Sequence, residues 1–429
     1  MQTLFINIRF LIGIHSISEP LKGVELGHLP CIENAWLLVK DDRICAFGQM
    51  NQLPKDLVQT SELIDVLGAS ILPTWCDSHS HIVFAASRED EFEKKIKGWS
   101  YAEIAADGGG ILNSAKKLAA TTEEDLFHDA WQRLQQLISL GTGALEIKSG
   151  YGLSVEGELK MLRVIRELKR QSPIPIKATF LGAHAFPDPF KNNHEGYIKQ
   201  IMEEMLPAIA DENLADYIDA FCEEGFFSTD ETDRILQAGL SYGLKPKLHT
   251  NQFTLSGGIK TAVRLHAISV DHLEVMNDYT IEILSRSNTI GVLLPGAAFF
   301  LRTSYPRARD MINAGCALAL ASDFNPGSSP SGNMNLVVSI ACIQMKMLPE
   351  EAINAATING AYAMNVQNEL GSISVGKKAS FIITKPIPSV AYLPYALGTN
   401  LIEKVFINGK LFSADMQSFK TNNQAAFQQ

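Results

Sequence analysis

Two rhythms of apolar and polar positions divide this chain. Short apolar runs at 3–12, 35–40, 43–47 and 62–67, and again at 371–373, 380–384 and 405–407, read as strands. Asp41-Asp42 and Asn408-Gly409 supply the turns of hairpins. Neither end carries enough apolar residues to build a core alone. The pattern therefore predicts one small β-sandwich domain assembled from both ends, residues 1–70 with 366–429. Between them, apolar runs at 143–148, 176–181, 217–221, 247–249, 269–270, 289–294 and 317–321 alternate with helical stretches at 123–139, 155–170, 194–209, 228–242 and 348–363. Such alternation means βα units on a parallel sheet. Counting the run at 70–73, there are about eight strands, the number of a closed (β/α)₈ TIM-type barrel over 71–365. No internal repeat or low-complexity segment interrupts the pattern, and the polar tail 421–429 reads as frayed.

Composition narrows the class without choosing a function. Hydrophobic residues make up 46% and charged residues 20% of the 429 positions, as in ordinary globular proteins. A formal net charge of −10 argues against nucleic acid, whose phosphates call for a basic face. The six cysteines, at 31, 45, 76, 222, 316 and 342, are scattered and form no Cys-x-x-Cys pair. That excludes a disulfide framework or zinc knuckle and indicates a reducing, cytoplasmic compartment. Residues 1–14 are apolar but lack a basic segment and a cleavage site, so they read as a strand and not a signal peptide. No apolar run reaches the roughly 18–20 residues of a membrane span.

The candidate chemistry lies where strands end. His79 and His81 follow a buried run at i and i+2, a spacing that turns both rings to one face of a strand and lets them share a metal ion. Lys247-Leu248-His249 ends a later run, 269–272 ends with Asp271-His272, and 319–323 ends with Ser322-Asp323. In a barrel these points converge on the carboxyl face. His79, His81, His249 and Asp323 then form an N/O set suited to zinc or iron with a place for water. A cation so held makes hydroxide available near neutral pH; Asp323 shuttles its proton, and His272 hydrogen-bonds a developing oxyanion. Taken singly, each residue has a plainer role: Asp323 as a helix cap before Phe324-Asn325-Pro326, His272 as a buried ring bonded to backbone.

These residues place the chain beside a known family. His-x-His on the first strand, His on the fifth and sixth and Asp on the eighth resembles the metal-dependent amidohydrolase superfamily. More narrowly, the chain resembles the imidazolonepropionase family along essentially its whole length. The likeness is carried by the segments 77–81, 87–92, 107–111 (Asp-Gly-Gly-Gly-Ile), 146–152, 179–184, 222–227, 249–252, 270–274 and 322–328. The resemblance implies hydrolytic ring opening of 4-imidazolone-5-propanoate to N-formimidoyl-L-glutamate by a homodimer with one Zn²⁺ or Fe³⁺ per subunit. It implies that His79, His81, His249 and Asp323 hold the ion. Arg88, Tyr151, His184, Gln252, Asn325, Gly327 and Ser328 match its substrate-contacting positions.

The chemistry of those residues agrees with that substrate. Arg88 offers a bidentate fork to a propionate carboxylate. The loop 325–329 offers backbone N–H groups, a hydroxyl and an amide, and Gln252 or His184 suits the ring nitrogens. Outside this pattern Arg88 would read as a solvated salt-bridge residue, Tyr151 as a loop aromatic and His184 as structural. The triple glycine 108–110 lacks the Lys-Ser/Thr of a phosphate loop and reads as a flexible loop at the barrel mouth. Lys148 ends a strand where a carboxylated lysine would bridge two metals, but the family resembled uses one. Ser78 and Ser80 replace the common Pro and Thr, and Gln252 stands where some members carry Glu. The competing readings are a deaminase or hydantoinase-type enzyme, which needs no Arg88, and a non-catalytic barrel, which would have lost ligands.

Overall fold

The computed structural model describes residues 2–16, 19–99, 103, 107 and 109–414. Its centre is a parallel barrel sheet. The strands run in chain order: Trp75–Asp77, Thr142–Lys148, Ile176–Ala183, Tyr217–Cys222, the pair Lys245–Pro246 and Leu248–Thr250, Ser269–His272, Ile290–Leu293 and Leu318–Leu320. Each pairs in parallel with the next. First and eighth strands meet just past their ends, where Ser80 bridges Phe324 and Asp323 N–H donates to His79 O at 2.9 Å. Helices cover the outside, so both faces of most strands are buried and the strands are nearly continuous apolar runs.

Local signals explain the helices. Glu123–Ser139 buries Leu126, Ala130, Leu134 and Ile138 on one stripe, and Thr122 caps it by accepting from Asp125 N–H. Thr229–Ser241 opens on a reciprocal capping box between Ser228 and Glu231. Two expected helices are broken. The stretch expected at 194–209 contains a wide π turn, Ile201–Met205, before Leu206–Asp211. Pro207 explains it, having no N–H and a ring that crowds the carbonyl four residues back. The stretch at 348–363 splits into Pro349–Ala356 and Ile358–Ala363 around Thr357, whose φ and ψ are −118° and −90°.

The second sheet joins both ends of the chain. Its path runs Lys410–Leu411, Ile402–Ile407, Phe381–Thr384, Ile71–Pro73, Gln2–Ile12, Cys31–Lys40 and Arg43–Gln49, with Glu62–Asp65 also paired to Gln2–Ile12. The apolar run at 70–73 therefore belongs here, antiparallel to Phe381–Thr384, and not to the barrel as expected. Trp75–Asp77 is the first barrel strand instead. Strand alternation then divides the side chains. Ile71, Phe381, Ile383 and Phe406 pack with Phe5 in the sheet's own core, while Leu72, Ile382, Val405 and Ile407 join the barrel core.

Of the triple glycine, Gly108 lies outside the described residues. Gly110, at φ +82°, opens the helix Gly110–Ala120 and donates its N–H to Glu91 Oε1 at 2.8 Å. The described part of this segment is thus a buried helix start and not a loop. The polar tail 421–429 also lies outside the described residues. Among the described residues, no helix is long and apolar enough to cross a membrane.

Candidate active site

The carboxyl ends of the strands converge on a small cavity. His81, His249, His272 and Asp323 line it together with Tyr151, His184, Phe221, Gln252, Asn325 and Ser328. His79 is fully buried beneath them, its ring 4.4 Å from that of His249 and 5.7 Å from that of His272. Neither His79 nor His81 lies in a regular strand, since Trp75–Asp77 ends before them. The parallel bridge at Ser80 keeps that segment extended, so the i, i+2 geometry survives.

Donor atoms of His79, His81 and Asp323 lie within 4.8 Å of one another, as do those of His79, His249 and His272. Asp323 Oδ1 stands 3.4 Å from His79 Nε2 and 3.7 Å from His81 Nε2. The fit to a cation rests on what these nitrogens lack. His79 Nδ1 is engaged by Asp271 Oδ2 at 2.7 Å, which leaves Nε2 buried with no hydrogen-bond partner; His249 Nε2 is likewise buried and unpartnered. Orphaned buried polar atoms are costly unless something else satisfies them. Burial, with Lys148 the next contributor for two of the three, pushes the imidazoles of His79, His81 and His249 well below the usual histidine range. Neutral rings with free lone pairs are what a metal requires; His79 is also held from behind by the Asp271 carboxylate, whereas Nδ1 of His81 and of His249 is buried without a hydrogen bond.

His272 is as near to His79 and His249 as a ligand would be, but its back is held differently. Its Nδ1 faces Glu274 Oε1 at 3.4 Å, and Glu274 Oε2 is buried without a partner. Burial opposes protonation of His272, yet Glu274, then Asp323 and Asp271, hold its pKa above the ordinary value. A ring able to keep a proton suits hydrogen-bond donation better than metal ligation. Burial also pushes the Asp323 carboxyl up to about 6, against the pull of His272 and bonds from Asn325 and Ser328. The depression expected beside a cation thus requires the cation itself. Asp323 (φ 52°), His272 (φ 87°) and Asn251 (φ 57°) all have left-handed backbones, strain of roughly 1–3 kcal/mol each that gathers at these strand ends.

The loops that carry the remaining residues are clamped. Glu158 accepts the N–H groups of Gly150, Gly152 and Leu153 at 3.0, 2.8 and 3.0 Å, fixing the turn that presents Tyr151. Glu223 accepts from Gln252 N at 2.9 Å, Phe253 N at 3.0 Å and the Thr254 hydroxyl, fixing Gln252. His184 Nδ1 lies 3.0 Å from Gly150 O, and its ring stacks 5.6 Å from that of His81.

One expectation is corrected. The 325–329 loop does not hold out the N–H groups of Gly327 and Ser328, because Asn325 Oδ1 accepts both at 2.8 Å. Asn325 Nδ2 is spent on Asp323 O and Ser328 Oγ, each at 2.7 Å, and Ser328 Oγ donates to Asp323 Oδ2 at 3.2 Å. Arg88 stands one layer outside the cavity. Its Nη2 pairs with Glu91 Oε2 at 2.6 Å, its Nη1 packs against Gly327, and its Nε is buried without a partner.

Several residues of this arrangement are given no role in the sequence reading, namely Asp219, Asp271, Glu146, Lys247, Glu158, Glu223 and Glu274. A signal existed for some of them. Glu146 and Lys148, Lys247 and His249, and Ser269 and Asp271 stand two apart in otherwise apolar runs, so each pair faces the barrel interior. The clamping roles of Glu158 and Glu223 carry no such signal.

A parallel eight-stranded barrel with His and Asp donors at its carboxyl edge is the architecture of the amidohydrolases. The model of the Amidohydrolase family matches residues 200–412. Solved structures agree on the fold: *Escherichia coli* guanine deaminase superposes with a TM-score of 0.71 at 15% identity, covering 96% of this chain and 99% of that one. A *Xanthomonas campestris* adenosine deaminase with bound zinc gives 0.66 at 15% identity, covering 95% and 92%. Sequence relatives are far nearer. The imidazolonepropionase of *Flavobacterium johnsoniae* is 57% identical over 96% of this chain and its own full length, and that of *Christiangramia forsetii* 54% over the same shares. That of *Alkaliphilus oremlandii* is 41% identical over 94% of this chain and 96% of its own. The chain belongs to the imidazolonepropionase family of amidohydrolases, hydrolases that act on C–N bonds.

Proposed function

We propose that this protein opens the ring of 4-imidazolone-5-propanoate by hydrolysis, giving N-formimidoyl-L-glutamate in histidine degradation. The observation that carries the reading is the set of neutral, buried imidazoles with unpartnered nitrogens beside Asp323. His79, His81, His249 and Asp323 would hold one Zn²⁺ or Fe³⁺ per subunit. Such an ion supplies Lewis acidity and lowers the pKa of water.

The chain's own residues do the rest. Asp323 takes the proton of the attacking water and returns it to the ring nitrogen as the C–N bond breaks. His272, oriented by Glu274, donates a hydrogen bond to the oxyanion that develops on the former carbonyl oxygen. Tyr151, His184 and Gln252 enclose the ring. Ser328, with Asn325 and Gly327, shapes the path along which the propionate reaches the Arg88 guanidinium. Gln252, an amide, serves as a hydrogen-bond partner and not as a proton acceptor at neutral pH. We also propose that the enzyme is a homodimer, as the family resemblance implies, and cytoplasmic, consistent with its dispersed, unpaired cysteines.

The test is turnover. Imidazolone propionate is generated in place with urocanase and N-formimidoyl-glutamate is followed before and after chelation. Product is expected with the native protein, loss on chelation, and recovery on adding Zn²⁺ or Fe³⁺. Absence of product from metal-loaded protein, with turnover of a guanine- or cytosine-like ring instead, would overturn the assignment of substrate.

A further inference from the structure

Directly behind the candidate ligands lies a set of charges that the reaction does not consume. Glu146, Lys148, Asp219, Lys247 and Asp271 are at most 1% exposed. Lys148 Nζ lies 2.7 Å from Glu146 Oε1, 2.8 Å from Asp219 Oδ2 and 3.3 Å from Asp271 Oδ2. Thr179 donates to Glu146 Oε1 at 2.7 Å, and Lys247 pairs with the other Glu146 oxygen and donates to Ser78 O at 3.2 Å. An apolar barrel core would be easier to build than five buried charges, so the cluster calls for a use.

Two of the carboxylates around Lys148 reach the ligands from behind. Asp271 Oδ2, the atom nearest Lys148, also engages His79 Nδ1 at 2.7 Å. Asp219 Oδ2 lies 2.9 Å from His249 Nδ1, a close approach without hydrogen-bond alignment, and its Oδ1 accepts the His249 backbone N–H at 3.1 Å. Asp219, His249 and Asp271 also offer donor atoms within 4.8 Å of one another, a grouping that could itself receive a cation. The lysine ammonium already sits against both of its carboxylates, hydrogen-bonded to Asp219 and ion-paired with Asp271.

We propose that Lys148 is a positioning residue whose ammonium takes the place of a second cation. It neutralises Asp219 and Asp271, fixes their orientation, and through them turns the free nitrogens of His79 and His249 toward a single ion. The enclosure by three carboxylates also disfavours carboxylation of the amine, which would replace a cation with an anion at the same spot. This inference rests on the reading that His79 and His249 ligate a metal.

The experiment uses Co²⁺, whose visible bands report coordination, with metal content measured after desalting. The native protein is expected to retain one Co²⁺ per chain even from excess metal, and to show no carbamate resonance after incubation with ¹³C-bicarbonate. Lys148→Met keeps the length and removes the charge; its Co²⁺ affinity should fall 10–100-fold and its bands should shift. Native affinity and native bands in Lys148→Met would reduce Lys148 to a filler and overturn the proposal. Two Co²⁺ per native chain, or a carbamate signal, would overturn it without any variant. Should Lys148→Met not fold, ¹⁵N spectra of metal-free native protein decide: His79 protonated on Nδ1 is expected, and the Nε2 tautomer refutes the arrangement. Failure of the native chain to bind Co²⁺ at all would instead sink the ligand reading beneath it.

Discussion

Asp323 is asked to do two things at once, so it is the residue whose loss should be most visible. Asp323→Asn keeps the shape and the contacts with Asn325 and Ser328 but gives up the proton acceptor and an anionic ligand. We expect kcat to fall about 10²–10⁴-fold with an unchanged circular dichroism spectrum. Arg88 should behave differently. Removing it as Arg88→Ala deletes a charge-assisted pair worth roughly 1.5–3 kcal/mol, so KM should rise on the order of 10–100-fold with kcat much less affected. Steady-state kinetics on the two variants separates the roles; a fall in kcat alone for Arg88→Ala would count against the carboxylate contact. At this scale the candidate ligands were readable from residue type and spacing. Glu274 was not, because a glutamate two residues past His272 has no meaning until the left-handed backbone at His272 and Leu273 turns it back toward the ring.

Among the elements, the loops after the strands decide how the site is presented, and each is held by one buried acceptor aimed at two or more of its amides. Glu158 serves the 150–153 turn, Glu223 the 252–254 turn and Asn325 its own loop. Gly327 shows the tolerance of the third loop. A methyl group there would meet the Arg88 guanidinium, the far end of a flexible side chain. Gly327→Ala should therefore displace Arg88 and not unfold the loop, raising KM while metal content stays native; elemental analysis beside kinetics checks both halves. The sequence reading expected backbone N–H groups to be free in this loop. Donors that look available along a sequence can be consumed by an amide two residues away, and only three-dimensional hydrogen bonding reveals it.

For the molecule as a whole, the small sheet and the barrel share a core through alternate residues of the same strands. Gly141 lies at that seam with φ +93°, and a Cβ on it would stand 2.5 Å from Ile382 Cδ1 and 2.9 Å from Ile402 Cδ1. Gly141→Ala combines backbone strain with overpacking. It should cost about 1–3 kcal/mol, read as a lower urea midpoint of one cooperative transition. Two separate transitions in the native protein would mean that the seam does not couple the sheets.

Period and residue type along the chain were sufficient to determine the barrel, the pairing of both ends into one sheet, and the strand ends that carry His and Asp. These depend on nearest neighbours and on the repeat of the backbone. Tertiary structure alone decided that 70–73 leaves the barrel for the other sheet, since a short apolar run fits either core equally well. It alone placed Lys148 among three carboxylates and set Asp271 behind His79, because those contacts join strands up to 192 residues apart. Charges so distant in sequence meet only when the barrel closes, and closure is a property of the whole chain.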